Sequence, residues 1–261
     1  IVPKKCGAAR IVFDYRRLNA VTERMAYGLP NMDRLRRRFA GMHWISTLDV
    51  KSGFWHVPVR EDHCKYLAFA FNGTLYEWTR MPFGPTNSPP TFQMAMHAVL
   101  GDLPYVVCYV DDIAILSKTE AEHRQHLDTV LARLEAHNIK LRLDKCEFGV
   151  SHAEYLGFIV GADGIRVTPK YQNRIANMPM PRTKRQLMRW IGVVQFIARF
   201  LPDLAIKLRP FHAIVSSSDF TWTESHTQQF EAIKEQIERC LELAQPNLDE
   251  PFELYCDASA E

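Results

Sequence analysis

The stretch YVVCYVDDIAILSK, Tyr105 to Lys118, contains two adjacent carboxylates, Asp111 and Asp112, between two apolar runs. These runs are rich in Val and Ile, which are typical of buried strands, whereas Asp is depleted there. The stretch therefore predicts a β-hairpin with the acids at or beside its turn. A carboxylate at the edge of an apolar sheet must be paired, hydrogen-bonded or metal-bound, because burying an isolated charge is unfavourable. Asp is also a common turn residue, so this stretch alone leaves both a metal site and an ordinary acidic turn open.

A third acid lies in WISTLDVKSGFWHVPV, residues 44–59, where Asp49 follows the apolar residues of a predicted strand. A Ser-Gly dipeptide interrupts the pattern, and a second alternating run over 55–59 predicts another strand. Phe54 lies at this interruption, so its ring could contact whatever Asp49 binds. A capped strand end with a core Phe explains the same segment equally well.

Charge is unevenly distributed along the 261 residues, although the net charge is only +2. Residues 1–44 carry ten Lys and Arg against three acids, and residues 166–210 carry ten against one. Residues 211–261 reverse the sign, with eleven acids against two bases. Two basic segments around an acidic centre predict a protein that grips a polyanion from two sides around a metal-binding core. A solvated helix face is the alternative for the arginines between residues 34 and 38.

Composition argues against several other classes of protein. The six cysteines show no CxxC spacing, so we expect them to be reduced. His123 and His126 lack an HExxH motif and are expected to be solvated helix residues rather than metal ligands. No signal peptide opens the chain and no apolar run approaches the ~20 residues of a membrane span, so we expect a soluble, intracellular protein with no membrane partner. The abrupt start at Ile1 and end at Glu261 suggest a piece of a longer protein.

The remaining pattern predicts an α+β sheet with helices packed on one face, followed by a helical subdomain. Asn-Gly at 72–73 is a strong hairpin signal, and Thr119 with Glu122 forms a capping box. The predicted elements are a cationic hairpin running into the alternating residues 9–19, a strand pair over 65–80, helices over about 91–100 and 120–138, a strand over 139–143, a hairpin over 154–167 turning at Asp163-Gly164, helices beyond Pro169, and a lone strand over 252–257.

Nine blocks resemble, in order and spacing, those of the reverse transcriptases of LTR retrotransposons, most closely the gypsy type. The blocks are RIVFDYRRLN, STLDVKSGFWHV, MPFGPTNSPPTFQ, YVDDIAILSKTEAEH, KCEFG, YLGFIV, IANMPMPRTKRQLMRWIGVVQFIARFLPDL, FTWTESHTQQFEAIK and PFELYCDAS. The resemblance implies an α+β right-hand polymerase with fingers, a ferredoxin-like palm and a helical thumb, then the start of a ribonuclease H-like domain. The implied boundaries are 1–24 and 57–87 for N-terminally truncated fingers, 25–56 and 88–168 for the palm, 169–245 for the thumb-like subdomain, and 246–261 for the first strand of a truncated ribonuclease H domain.

The same resemblance implies that Asp49, Asp111 and Asp112 are catalytic carboxylates. With the Val50 carbonyl they would bind two Mg²⁺ ions, or Mn²⁺ in their place, about 4 Å apart. Because adjacent strand residues point to opposite faces, we expect Asp49 and Asp111 to bridge both metals and Asp112 to bind less directly.

The resemblance also assigns nucleotide-binding residues. A lysine and an arginine of the fingers would clamp the triphosphate, one aromatic ring would exclude a ribose 2′-hydroxyl, and a Phe-Gly loop would seat the incoming nucleotide. The triphosphate clamp is Lys4 or Lys5 with Arg10, the ring that excludes the 2′-hydroxyl is Phe54, and the loop that seats the nucleotide contains Phe83 and Gly84.

Further residues match elements that handle the nucleic acid. Leu156 and Gly157 match the primer grip, and the basic residues between 170 and 209 would follow the duplex backbone. Asp257 matches the first acid of a ribonuclease H site, whose other carboxylates would lie beyond Glu261, so we expect no RNA cleavage.

The implied function is RNA-directed and DNA-directed DNA synthesis in retrotransposon replication, by two-metal nucleotidyl transfer from a dNTP to a primer 3′-hydroxyl. Its partners would be a primed RNA or DNA template, dNTPs and the rest of a Pol polyprotein with ribonuclease H and integrase, in a cytoplasmic virus-like particle. One alternative is an RNA-dependent RNA polymerase, against which Phe54 argues. The other is an inactive or domesticated remnant kept as a nucleic-acid-binding scaffold, against which the three acids argue.

Overall fold

A computed structural model describes residues 2–3, 9–10, 13–239 and 243–244. The chain divides into two compact units, Ile1–Arg38 with Met42–Ala153 and Phe39–Gly41 with Glu154–Glu261. No helix in the described ranges is long and apolar enough to cross a membrane. The elements in chain order are β1 (Val2–Pro3), β2 (Ala9–Arg10), α1 (Arg16–Val21), α2 (Met32–Arg36), β3 (Trp44–Asp49), β4 (Phe69–Phe71), β5 (Thr74–Tyr76), α3 (Ser88–Leu100), β6 (Val106–Tyr109), β7 (Asp112–Ser117), α4 (Glu120–Ala136), β8 (Glu147–Val150), β9 (His152–Tyr155), β10 (Phe158–Gly161), β11 (Gly164–Val167), α5 (Pro169–Ala176), α6 (Lys184–Gln195), α7 (Leu204–Ser216), α8 (Glu224–Glu238) and β12 (Leu243–Ala244).

The first unit is built on a four-stranded antiparallel sheet in the order β6-β7-β3-β8. Residues two apart in a strand share a face, so Leu48 with Val50 and Ile113 with Ile115 form one apolar surface. These side chains are buried in a single core with residues of α3 and α4, which removes their apolar area from water. This is the arrangement of helices on one sheet face that the sequence predicts.

Two predicted hairpins are confirmed. β6 and β7 are joined by two residues, Val110 and Asp111, and Asp112 is the first residue of β7. β4 and β5 are joined by Asn72 and Gly73, whose φ angles are 49° and 76°. Positive φ at both positions is what a tight hairpin turn needs, and Asn and Gly adopt it at low cost.

The capping box at the start of α4 is also confirmed. The Glu122 N–H donates to Thr119 Oγ1 at 3.3 Å, and the Thr119 N–H donates to the Glu122 carboxylate at 3.2 Å. These bonds satisfy two backbone donors at the helix start. They fix where α4 begins, so that Val130 and Leu134 face the sheet core.

The second unit combines another four-stranded sheet, in the order β12-β11-β10-β9, with helices α5 to α8. The helix pairs α5 and α8, α6 and α7, and α7 and α8 are in contact. Their core is aromatic, with the Trp190 ring centroid 5.3 Å from Phe211 and 4.8 Å from Phe230. The hairpin predicted at Asp163-Gly164 joins β10 to β11, and the helical pattern predicted beyond Pro169 is confirmed.

Three strand predictions are wrong. Residues 16–21 form α1, and residues 53–56 form a 3-10 helix after Ser52 turns the chain with a φ of 55°. Over 139–143, the described chain has only a single bridge between Leu141 and Val50, and a 3-10 helix follows at Leu143–Lys145. In such short segments alternating apolar residues also fit one helical turn, which local periodicity cannot distinguish from a strand.

Candidate functional site

The three acids singled out by the sequence meet at one end of the central sheet. Asp49, the last residue of β3, lies opposite Asp112, the first residue of β7. Asp111 occupies the turn before β7, and its carbonyl accepts a hydrogen bond from the Val50 N–H at 3.1 Å. The fold therefore groups all the residues predicted as metal ligands.

Val50 extends β3 through its bridge to Leu141. The two hydrogen bonds that flank this bridge use the Asp49 carbonyl, at 2.9 Å, and the Lys51 N–H, at 2.8 Å. Neither bond uses the Val50 carbonyl, so that oxygen can serve as the predicted backbone ligand.

Cations lie beside Asp49, whereas Asp112 lies among acids. The Asp49 carboxylate is 3.7 Å from Arg142 Nε and 3.5 Å from Lys145 Nζ, and both pairs are partly exposed. The pKa of Asp112 is raised to about 6. Partial burial of the carboxyl is the largest cause, the negative charges of Asp111 and Asp49 add to it, and the positive charge of Lys145 opposes it. A bound divalent cation would relieve this excess of negative charge. Sequence reasoning did not identify either cation, because the contacts depend on how the chain after α4 returns to β3.

The donors suit a hard divalent cation, because carboxylate and carbonyl oxygens are the ligands that Mg²⁺ prefers. Within the part of the chain that the structure describes, no group of three or more His, Cys, Asp or Glu side chains converges closely enough to hold a metal ion. The Asp49 carboxylate instead lies closest to the cations of Arg142 and Lys145. The site therefore fits Mg²⁺ in donor type and charge.

A buried amide side chain supports the acidic turn. Gln93 of α3 is 3% exposed, its Oε1 accepts a hydrogen bond from the Val110 N–H at 2.7 Å, and its Nε2 donates to the Cys108 carbonyl at 3.2 Å. Val110 is β-branched and has a φ of 55°, which such residues rarely adopt. Sequence reasoning missed Gln93, because a polar residue on a helix carries no local sign that it is buried against a turn.

Phe54 lies in an aromatic cluster next to the acids. Its ring centroid is 4.9 Å from that of Phe83 and 5.7 Å from that of Phe92. The preceding Gly53 is packed so closely that a Cβ there would lie 2.9 Å from the Phe92 ring and 3.5 Å from the Asp111 Cβ. The structure thus brings two predicted nucleotide-binding residues, Phe54 and Phe83, together beside the acidic turn.

The loop that contains Gly84 is anchored to α1. Gly84 has a φ of 117°, and a Cβ there would lie 2.9 Å from the Tyr15 ring, so the position requires glycine. Asn19 donates through Nδ2 to the Gly84 carbonyl at 3.0 Å and accepts from the Thr86 N–H at 2.8 Å. A helix that the sequence pattern did not predict therefore holds the predicted nucleotide-seating loop.

The other predicted site residues are placed only in part. Arg10 pairs with Val2 between β2 and β1. Leu156 and Gly157 form the turn between β9 and β10 in the second unit, with φ angles of 50° and 81°. The remaining predicted features, Lys4, Lys5, Asp257 and the strand over 252–257, lie outside the described residues.

The prediction that His123 is a solvated helix residue is wrong. His123 is 2% exposed, with Nε2 2.6 Å from Ser46 Oγ and Nδ1 2.8 Å from Ser117 Oγ. Ser117 Oγ also lies 2.8 Å from Nδ1 of His126. Helical periodicity cannot show that two strands place serines under the helix, and this polar cluster attaches α4 to the sheet.

Residues 2–160 match the family described as "Reverse transcriptase (RNA-dependent DNA polymerase)". The chain is 33% identical to the Retrovirus-related Pol polyprotein from transposon 297 of Drosophila melanogaster, an alignment that covers 99% of this chain and 25% of that protein. It is 31% identical to the Transposon Tf2-3 polyprotein of Schizosaccharomyces pombe, covering 90% of this chain and 18% of that protein. The chain therefore spans at most about a quarter of the length of these curated relatives.

This chain is similar to two solved structures of a foamy viral protease-reverse transcriptase, which is consistent with a polymerase fold. The structure in complex with an RNA/DNA hybrid gives a TM-score of 0.84 at 28% identity, over 94% of this chain and 33% of that one. The dRH form in complex with double-stranded DNA gives 0.89 at 28% identity, over 94% and 44%. The family match includes β3 and β7, the strands that carry the acids. With its carboxylates in register at one end of the sheet, the chain belongs to the reverse transcriptase (RNA-dependent DNA polymerase) family.

Proposed function

We propose that this chain is an RNA-directed and DNA-directed DNA polymerase of a gypsy-type LTR retrotransposon, which joins a dNTP to a primer 3′-hydroxyl. The observation that carries the proposal is the register of β3 and β7, which places Asp49 opposite Asp112 and next to Asp111 in the turn. Carboxylates grouped in this way suit two-metal in-line displacement, in which charge develops on both the attacking and the leaving oxygen.

Asp49, Asp111 and Asp112 would hold two Mg²⁺ ions together with the Val50 carbonyl. When bound, such ions activate the primer hydroxyl and neutralise charge on the triphosphate. Asp49 and Asp111 would each contact both sites. Asp112 shares a sheet face with Asp49, because the two residues are opposite each other in an antiparallel pair, and it would bind less directly or set the local charge. The bonds from Gln93 hold the turn that carries Asp111, so little reorganisation is needed when charge develops.

Phe54 would discriminate against ribonucleotides. Its ring packs against Phe83 and Phe92, so it has little room to move away from an added 2′-hydroxyl. Gly84, in the loop held by Asn19, would seat the same nucleotide. Arg10 and one of the two lysines before it would contact the triphosphate.

The nucleic-acid partner would be a primed RNA or DNA template. The foamy viral relative is described in complex with an RNA/DNA hybrid and with double-stranded DNA, which supports this assignment. Leu156 and Gly157 would grip the primer, and the basic residues between 170 and 209 would contact duplex phosphates. The parent would be a cytoplasmic Pol polyprotein in which Asp257 opens the ribonuclease H domain.

Primer extension on an RNA template with dNTPs and Mg²⁺ tests the polymerase activity. We expect the chain to extend the primer and Asp111→Asn to reduce the rate at least about a thousandfold, since a metal-bridging charge is lost. Asp128→Asn, at an exposed position on α4, is the matched control and should extend normally. If wild type and Asp111→Asn bind the duplex equally and neither extends it, the polymerase proposal is wrong and the chain is a nucleic-acid-binding scaffold.

Sugar selection distinguishes the DNA polymerase from an RNA-dependent RNA polymerase. Phe54→Val should raise the efficiency of rNTP incorporation relative to dNTP by at least about tenfold, because the smaller side chain leaves room for a 2′-hydroxyl. Single-nucleotide incorporation with matched dCTP and CTP measures the ratio. Unchanged discrimination would remove the assignment of Phe54, and a wild-type preference for rNTPs would favour the RNA polymerase.

A further inference from the structure

His56 ends the 3-10 helix Gly53–His56, which carries Phe54. Its Nδ1 lies 3.2 Å from the Gly53 carbonyl oxygen, and its Nε2 accepts a hydrogen bond from the Lys140 main-chain N–H at 3.0 Å. A carbonyl only accepts and an N–H only donates, so both bonds form together only in the neutral ring with its proton on Nδ1. The imidazole thus links this helix to a residue 84 positions away in the sequence.

The residue that His56 binds is itself attached to the chain after β3. The Lys140 carbonyl accepts a hydrogen bond from the Lys51 N–H at 2.8 Å, and the next residue, Leu141, pairs with Val50. Lys140 is therefore bonded on both sides, to the segment that follows the metal-ligand strand and to the His56 ring. This arrangement makes the position of the 3-10 helix depend on the same strand end that holds Asp49.

Little space is available at the Gly53 peptide whose carbonyl His56 binds. A Cβ at Gly53 would lie 2.9 Å from the Phe92 ring, which in turn contacts the Phe54 ring. The Gly53 carbonyl belongs to the peptide unit that leads directly into Phe54. A rotation of this peptide would move the start of the Phe54 side chain, so the hydrogen bond from His56 fixes the direction from which that ring extends.

We propose that His56 is a positioning residue for selection between deoxyribose and ribose, which acts by holding the Gly53 peptide and so the Phe54 ring. The proposal rests on the proposed function of Phe54 as the ring that excludes a 2′-hydroxyl. His56 does not itself contact the nucleotide in this scheme. The Arg80 Nη1 donates to the His56 carbonyl at 3.3 Å, which ties the same residue to the fingers segment as well.

Three substitutions separate the two hydrogen bonds of the ring. His56→Phe keeps an aromatic ring and loses both bonds, His56→Gln keeps an acceptor for the Lys140 N–H, and His56→Asn keeps a donor for the Gly53 carbonyl. Single-turnover incorporation of dCTP and CTP gives the discrimination ratio for each. We expect His56→Phe to lower the ratio about tenfold, mainly through faster CTP incorporation, and His56→Asn to recover more of it than His56→Gln. His43→Phe, at an exposed position near the opposite end of β3, is the matched control and should leave the ratio unchanged.

A double-mutant cycle with Phe54→Val tests whether His56 acts through Phe54. If it does, His56→Phe should change the ratio by less than about twofold once Phe54 is already Val, so the two effects are not additive. An unchanged ratio in His56→Phe, or an equal effect with and without Phe54, would overturn the role of His56. If His56→Phe unfolds, as judged by circular dichroism, the Asn and Gln variants decide by the same criterion.

The outcomes distinguish this inference from the proposed function. If wild type does not polymerise, or if Phe54→Val leaves discrimination unchanged, the proposed function or its assignment of Phe54 is wrong. If Phe54→Val relaxes discrimination while every His56 variant retains it, only the role of His56 is wrong.

Discussion

Val110 adopts a φ of 55° directly before Asp111. Such a conformation costs a β-branched residue about 1–3 kcal/mol and persists only where the surrounding structure enforces it. Here Gln93 supplies two hydrogen bonds, one to Val110 and one to Cys108, that favour this turn over an unstrained one. The position of Asp111 therefore depends on a side chain from a helix that carries none of the three acids.

Gln93→Leu should reduce the rate of primer extension roughly a hundredfold with little change in affinity for primed template. Leu has a similar volume, but it leaves the Val110 N–H and the Cys108 carbonyl unpaired, at a cost of about 1–3 kcal/mol each. Single-turnover extension and filter binding measure the two quantities. Gln125→Leu, at an exposed position on α4, is the control. An unaltered extension rate in Gln93→Leu would show that the turn keeps its conformation without the hydrogen bonds from Gln93.

Asp112→Asn should stabilise the chain in EDTA at pH 7. The folded-state pKa of Asp112 is raised to about 6 from 3.8, so the folded chain binds this proton more tightly than the unfolded chain. Protonation of Asp112 therefore stabilises the folded chain. This contribution is complete below pH 3.8 and is lost as the pH rises through about 6. The advantage of Asp112→Asn in melting temperature should therefore grow between pH 4 and pH 7, and Mg²⁺ should reduce it. An advantage that is independent of pH would contradict the raised pKa.

At the level of elements, α4 is attached to the sheet by a buried polar chain as well as by its apolar stripe. The Gly149 N–H donates to Ser46 Oγ at 3.0 Å, and contacts continue through His123 and Ser117 to His126. Two proton arrangements satisfy every contact, one with His123 protonated on Nδ1 and one with it protonated on Nε2, and the His123 ring is neutral in both. Burial lowers the pKa of His123, with a smaller effect from His126, which keeps the ring neutral as both arrangements require.

Ser46→Ala should lower the free energy of unfolding by about 1–3 kcal/mol, because His123 Nε2 and the Gly149 N–H lose their shared partner inside the protein. Urea unfolding followed by circular dichroism measures the loss. Ser151→Ala, on the exposed turn after β8, is the control and should stay within about 0.5 kcal/mol of wild type. Equal stability of the two variants would show that α4 is held by apolar packing alone.

At the level of the whole molecule, charge separates along the chain while the net charge stays near neutral. The segment 166–210, which includes α5, α6 and part of α7, carries ten bases against one acid. Arg185 and Arg189 of α6 are exposed, and their guanidinium groups can contact phosphates. The affinity for nucleic acid should then come mainly from counterion release on phosphate contact, and it should depend little on the base sequence.

Arg185→Gln with Arg189→Gln should weaken binding to primed template and reduce the slope of log K against log salt concentration by about 2, if each arginine contacts one phosphate. Fluorescence anisotropy from low to moderate KCl measures the slope. Arg124→Gln, which removes a basic residue from the exposed face of α4, should not change it. A slope that is unaffected by the α6 double substitution would place the duplex elsewhere on the protein.

Much of the fold could be predicted from local pattern. The hairpin around Asp111, the Asn72-Gly73 turn and the Thr119 cap are encoded within a few residues, and each is confirmed. The strand predictions failed where 9–19 runs into the helix at 16–21, where 55–59 begins inside the 3-10 helix at 53–56, and over 139–143, because short alternation does not distinguish a strand from a helical turn. Asp49, Asp111 and Asp112 stand out locally as carboxylates beside apolar strand residues, and the resemblance of the surrounding blocks to a known family then assigned them a role.

The sequence by itself singled out the three acids, because carboxylates beside apolar strand residues are a local anomaly and the surrounding blocks resemble those of a known family. Only the tertiary structure decided what surrounds those acids: Gln93 reaches a turn 17 residues away, and His56 reaches a backbone 84 residues away. It likewise placed Arg142 and Lys145 beside Asp49. Such contacts arise when separate elements pack into one core, and the identity of a polar residue does not record which distant backbone group it will meet.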